Sequence, residues 1–99
     1  MNINKTQNGE KTLLALSGRL DTTTAPKLQD ALIPEFDTVK HVELDFSGLA
    51  YVSSAGLRVL LMGEKTAKAT GGKFTLVNVS EEIMEVFEMT GFADILNIG

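Results

Sequence analysis

Short apolar runs alternate with segments of helical spacing along nearly the whole chain, and this alternation restricts the fold more than any other feature of the sequence. The run Thr12-Leu13-Leu14-Ala15-Leu16 ends at Ser17-Gly18. His41-Val42-Glu43-Leu44-Asp45-Phe46 alternates with a period of two and puts Val42, Leu44 and Phe46 on one face; Ser47-Gly48 breaks it, and Leu49-Ala50-Tyr51-Val52 forms a second short stretch. Residues Lys73 to Val79 read as a further strand. The weaker alternation of Met1 to Thr6, with Ile3 inward, predicts a hairpin with the 12–16 run around Asn8-Gly9. Between the strands lie helix signals. Thr22-Thr23-Thr24 followed by Pro26 opens a helix that collects Ala25, Leu28, Ala31 and Leu32 on one side and ends near Pro34. A longer helical pattern runs from Ser53 to about Ala69 and is stopped by Gly71-Gly72. Ser80 caps a last helix, with Glu81 and Glu82 in its positive first turn and Ile83, Val86, Phe87 and Thr90 as the inner stripe before Gly91. Phe92 to Ile98 is expected to pack back as a short helical or extended tail.

The order β-β-α-β-α-β-α predicts an α/β fold. Right-handed crossovers would lay the later strands parallel, giving a mixed, mostly parallel sheet of about four strands with packed helices. No linker, repeat or low-complexity stretch interrupts the 99 residues, of which 43% are hydrophobic, so a single domain is expected over 1–99. The chain has no Cys, which removes thiol catalysis and thiolate metal sites and fits a reducing compartment. Residues 1–10 lack the apolar core of a signal peptide, and no apolar run approaches the ~18 residues of a membrane span. A cytoplasmic location without membrane association is expected. The net charge of −4 has the wrong sign for attracting nucleic acid.

Most catalytic readings fall away on the same evidence. His41 is the only imidazole, at a strand start and far in the predicted fold from Ser54, so neither a metal site nor a Ser-His-acid triad is expected. Gly71-Gly72-Lys73-Phe74 lacks the hydroxyl residue of a phosphate-binding loop and precedes a strand. Asp45 reads as a strand-end residue bonding the following turn, and Met62, Met84 and Met89 as fillers of core gaps. No cofactor is implied, and an enzyme ranks last among the readings.

The helix after Ser53 carries the functional hypothesis. At 100° per residue, Ala55, Val59, Met62, Gly63, Thr66 and Ala69 share a face suited to packing on the sheet. Ser54, Leu57, Arg58, Leu61, Glu64, Lys65 and Lys68 share the opposite face, where Leu57 and Leu61 either form the apolar centre of a docking patch or are covered by the Tyr51 loop or the tail. A phosphate on Ser54 would meet the free N–H groups and positive dipole of the first turn, adding about −1.5 to −2 charges without unfolding the domain. The alternative is that Ser53 or Ser54 acts only as an N-cap, worth about 1 kcal/mol.

The segment Leu44-Asp45-Phe46-Ser47-Gly48-Leu49-Ala50-Tyr51-Val52-Ser53-Ser54-Ala55-Gly56-Leu57-Arg58-Val59-Leu60-Leu61 resembles the signature of STAS domains, specifically bacterial anti-sigma factor antagonists. Gly18-Arg19-Leu20-Asp21 with Thr24-Ala25-Pro26, and the stretch from Phe74 to Phe92, extend the likeness over nearly the whole chain. The resemblance implies a partner-switching cycle. The unmodified protein would bind an anti-sigma factor that is also a serine kinase, the kinase would phosphorylate it, and a serine phosphatase would reset it. By position the phosphoacceptor falls on Ser54, with Ser53 as rival. The implied partner-binding residues are Asp21, Thr22, Ser53, Ser54, Gly56, Leu57, Arg58 and Leu61, on a protein monomeric when free. Two positions depart from the family pattern: Ser53 stands where Asp is usual, and Ala55 where Ser or Thr is usual. A module that is not phosphorylated and binds a nucleotide or other small anion at Asp21 and the Ser53-Ser54 helix start is the rival reading.

Overall fold

In the computed structural model, which describes residues 1–99, a four-stranded sheet carries its helices on one face. Strands β1 (Asn2–Asn8) and β2 (Lys11–Leu20) form the expected antiparallel hairpin, turning at Gly9 with φ 63°. Helix α1 (Ala25–Leu32) and a 3-10 turn (Ile33–Asp37) lead to β3 (His41–Val52), which lies parallel to β2. Helix α2 (Ser54–Thr70) returns the chain to β4 (Lys73–Val77), parallel to β3, and α3 (Glu81–Thr90) completes the order β-β-α-β-α-β-α. The strands lie side by side in sequence order.

Alternation decides which face is covered. Leu14, Leu16, Val42, Leu44, Phe46, Phe74 and Leu76 point inward and are almost fully buried, and Phe46 and Phe74 meet Phe87 of α3 and Phe36 of the 3-10 turn. The intervening Lys11, Leu13, Ala15, His41, Glu43 and Asp45 are half-buried on the other face. Two polar residues are buried, Thr12 and Thr75; the Thr12 hydroxyl donates to Glu35 (2.9 Å), whose other oxygen pairs with Lys5 (2.8 Å), fastening the hairpin to the 3-10 turn.

Four expectations are corrected. Ser47-Gly48 does not break the strand, because β3 runs unbroken for 12 residues. Its register against β2 slips twice, from Ala15↔Asp45 to Ser17↔Gly48 and from Gly18↔Leu49 to Arg19↔Tyr51, each time with one extra residue on β3. These bulges stretch the spacing of the inward residues Phe46, Leu49 and Val52 to three, a pattern that a period of two misses. The last strand ends at Val77 because Asn78 turns left-handed, with φ 57°. Its amide donates to Asp45 (3.0 Å), which also accepts from the Ser47 N–H (2.9 Å); because the strand runs on, Asp45 is not a strand-end residue before a turn but bonds within β3, beside the first slip. Those bonds, the Asn78 amide foremost, hold the Asp45 carboxyl below the usual carboxylate range. Two methionines do not fill the core: Met89 is 86% exposed and Met62 38% exposed.

The tail forms a short 3-10 turn (Phe92–Asp94) and then an isolated parallel bridge from Ile98 to Leu76. Its end lies beside Thr75, whose hydroxyl is 3.1 Å from Nε2 of His41. Burial, aided by Lys11 and Lys73 and opposed by Glu43, pushes the His41 imidazole below its ordinary pKa of 6.5. The unfolded chain takes up the proton first, so the contribution of neutral His41 is present above pH 6.5 and is lost as pH falls through the folded value. Melting curves recorded on lowering the pH from about 7 to about 5.5 are expected to fall further for the wild type than for His41→Gln, which has no proton to gain. Equal falls would remove His41 as the cause.

Candidate functional site

The C-terminal ends of β2 and β3 bring the sequence-predicted residues to one rim. Leu20 pairs with Val52, and the Leu20 carbonyl accepts from the Ser53 N–H (2.8 Å), which sets the start of α2 beside the loop that opens at Asp21. Gly56 faces this junction. A Cβ there would stand 2.6 Å from Cγ of Leu20, so the backbone of α2 can approach β2 only through a residue without a side chain. Gly56 is buried and shapes the site without offering a contact surface.

The two serines have separate tasks. Ser53 is the N-cap in extended conformation (φ −92°, ψ 175°), and its hydroxyl accepts from the Gly56 N–H at 3.3 Å. Asp and Ser are about equally good in this position, so the departure from the family's usual Asp leaves the helix start intact. Ser54 is the first helical residue; its side chain is exposed and its hydroxyl makes no hydrogen bond within the chain. The N–H groups of the first turn have no carbonyl partner one turn back, and an anion on Ser54 would lie next to them.

Asp21 is committed locally. Its Oδ1 accepts from the Thr23 N–H (3.0 Å) and hydroxyl (2.8 Å) and from the Thr24 N–H (3.1 Å), while Oδ2 faces Arg19 at 3.9 Å. These donors, the Thr23 hydroxyl first, keep the carboxyl below its usual range. Arg19 in turn lies over the Tyr51 ring, 4.2 Å from its centre, and Tyr51 is 41% exposed.

The expected stripe of exposed leucines is only partly present. Leu57 is 6% exposed and belongs to the core, whereas Leu61 is half-buried. The buried arc of α2 comprises Gly56, Leu57, Val59, Leu60, Gly63 and Ala67, rotated from the face expected from the sequence. Helix α2 packs on β3 and β4 and beside α1 and the 3-10 turn, and Ala55, Val59 and Met62 of the expected face line the space between α2 and α1. Leu57 therefore leaves the docking patch. Arg58 and Thr22 are exposed as a contact role requires.

What sequence reasoning missed is a groove of about 270 Å³ between α1 and α2, which begins at Ala55, the residue after Ser54. Ala25, Pro26 and Gln29 line one wall and Ala55, Val59 and Met62 the other, with Thr22 and Arg58 completing it. A signal existed in Met62, an apolar residue one turn beyond Arg58, but it fell on the face assigned to the sheet. No group of three or more His, Cys, Asp or Glu side chains gathers to hold a metal, and no helix is long and apolar enough to cross a membrane.

Comparison with known proteins agrees with this geometry. Residues 3–97 match the family model described as "Mlab, STAS domain". The anti-sigma-B factor antagonist of Bacillus subtilis is 30% identical over 98 residues, covering 99% of this chain and 90% of that protein. Among solved structures, an anti-sigma-factor antagonist (STAS) domain protein from Planctomyces limnophilus superposes with a TM-score of 0.84 at 21% identity, over 98% of this chain and 87% of that one. The phosphorylated form of the Bacillus cell fate determinant SpoIIAA superposes with a TM-score of 0.78 at 19% identity, over 99% and 91%. The chain thus belongs to the STAS domains of the anti-sigma factor antagonist family, regulatory proteins rather than enzymes.

Proposed function

We propose that this protein works by partner switching: unmodified, it binds an anti-sigma factor that is also a serine kinase, and phosphorylation of Ser54 releases it. The observation that carries the reading is the division of labour at the start of α2, where the Ser53 hydroxyl is spent on the cap and the Ser54 hydroxyl stands in water without a partner. A kinase can reach Ser54 without undoing the helix. The phosphorylated form of a structural relative, SpoIIAA, supports the same reading by analogy.

Release follows from electrostatics. In the free protein the phosphate is solvated and favoured by the first-turn N–H groups. Covered by a partner with no cation to meet it, the same dianion would be desolvated at a cost of several kcal/mol. A serine phosphatase resets the cycle by removing it.

Incubation with the cognate kinase and ATP, followed by peptide mass spectrometry, is expected to find one phosphate, on Ser54. It should vanish in Ser54→Ala and persist in Ser53→Ala. Modification of Ser53 instead would reassign the acceptor, and modification of neither serine would remove the switch.

A further inference from the structure

We propose that Arg58 couples phosphorylation to release: in the unmodified protein its guanidinium receives a carboxylate of the partner at the α1–α2 groove, and after modification it turns to the phosphate on Ser54. This rests on the reading of Ser54 as phosphoacceptor and adds the partner's chemistry and the route of release. Three observations lead to it. Arg58 is the only charged residue lining the groove, whose other walls are apolar or neutral, including Pro26, Val59 and Met62. Unlike Arg19, which is held by Tyr51 and Asp21, Arg58 makes no ion pair and no hydrogen bond within the chain. It also lies four residues after Ser54 on the same exposed side of α2, a spacing at which side chains are neighbours.

An apolar groove with a single cation at its edge fits a protein segment that inserts an apolar side chain and sets an Asp or Glu beside it. The paired carboxylate gains a guanidinium with a fixed fork of donors. A phosphate one turn away competes for the same fork with roughly twice the charge of the carboxylate and three acceptor oxygens. The partner then loses its ion pair and faces a new anion at once. Charge alone at Ser54 would repel; the capture by Arg58 adds the removal of an attraction.

The test uses the full chain with phosphoserine placed at position 54 by genetic encoding, and the cognate kinase as the binding probe. Because the chain has two arginines, the side-chain Nε–Hε signals in NMR spectra are simple to assign. On phosphorylation the Arg58 signal is expected to shift and its exchange with water to slow, while the Arg19 signal stays in place. In parallel, Arg58→Gln is expected to weaken kinase binding of the unmodified chain by about tenfold or more, with Arg58→Lys recovering part of the loss. In the phosphorylated chain the same substitution should change binding by less than about twofold. An unmoved Arg58 signal, or equal losses in both forms, would overturn the coupling while leaving Ser54 as acceptor. Failure of the kinase to modify Ser54 would instead overturn the underlying switch. Arg58 is exposed, so the folded state should tolerate both variants, and an unchanged circular dichroism melt checks this.

Discussion

Ser54→Glu is expected to weaken binding of the anti-sigma factor by about a hundredfold or more, with the fold left as stable as before. A carboxylate in the first turn of α2 faces the positive end of the helix, an arrangement that favours the folded state by about 0.3–1 kcal/mol. Once the partner covers position 54, the same charge loses its water and costs several kcal/mol, and each 1.4 kcal/mol is about a tenfold change in affinity. Calorimetric titration against the partner, paired with a thermal melt, separates the two effects. Ser53→Ala serves as the mirror experiment. It should lower stability by about 1 kcal/mol through loss of the cap and weaken affinity far less than Ser54→Glu, since it adds no charge. Tight binding by Ser54→Glu would mean that charge at this position is not what drives release.

The largest loss of stability is expected at Phe74. Its ring is 1% exposed and meets the Phe36 ring edge to face at 6.0 Å, so Phe74→Ala leaves a cavity under α2 and the 3-10 turn and should cost about 3–5 kcal/mol. Against a total of about 5–15 kcal/mol for a domain, that is enough to leave a substantial unfolded fraction. Gly63 supplies the complementary test. A Cβ at Gly63 would stand 2.9 Å from both Cε2 of Phe74 and Cδ2 of Leu32, so Gly63→Ala overpacks the same spot, at about 1–3 kcal/mol. Combined, the two substitutions should cost clearly less than their sum, because removal of the ring admits the methyl group. Urea unfolding of the two single variants and the double variant measures the difference; strict additivity would mean that the helix moves away as a whole.

The fold was legible because its instructions are local. Gly9 in the hairpin, Pro26 at the start of α1, Ser80 before α3 and the left-handed Gly71 and Gly91 that end α2 and α3 each act through their own backbone. Where the reading failed, the deciding contact came from elsewhere in the chain. The slip of β3 depends on how it matches β2, which no pattern within residues 46–52 reports. Likewise the burial of Leu57 depends on how α2 is seated on the rest of the fold, which the spacing within the helix does not report. At the site, the exposed Ser54 could be placed from the start of the helix alone. The groove could not, since it belongs to two helices that meet only after folding.

The two extra residues in β3 have a consequence for how this protein can change over time. Because each slip adds one residue, the pair leaves Leu49 and Val52 inward and delivers Ser53 to the cap with the correct phase. Deleting Ala50, the extra residue of the second slip, would remove that bulge and leave Leu49 and Val52 two residues apart, still on the inner face opposite Leu20. A slip is thus a place where the strand can lose a residue without turning its core side chains outward.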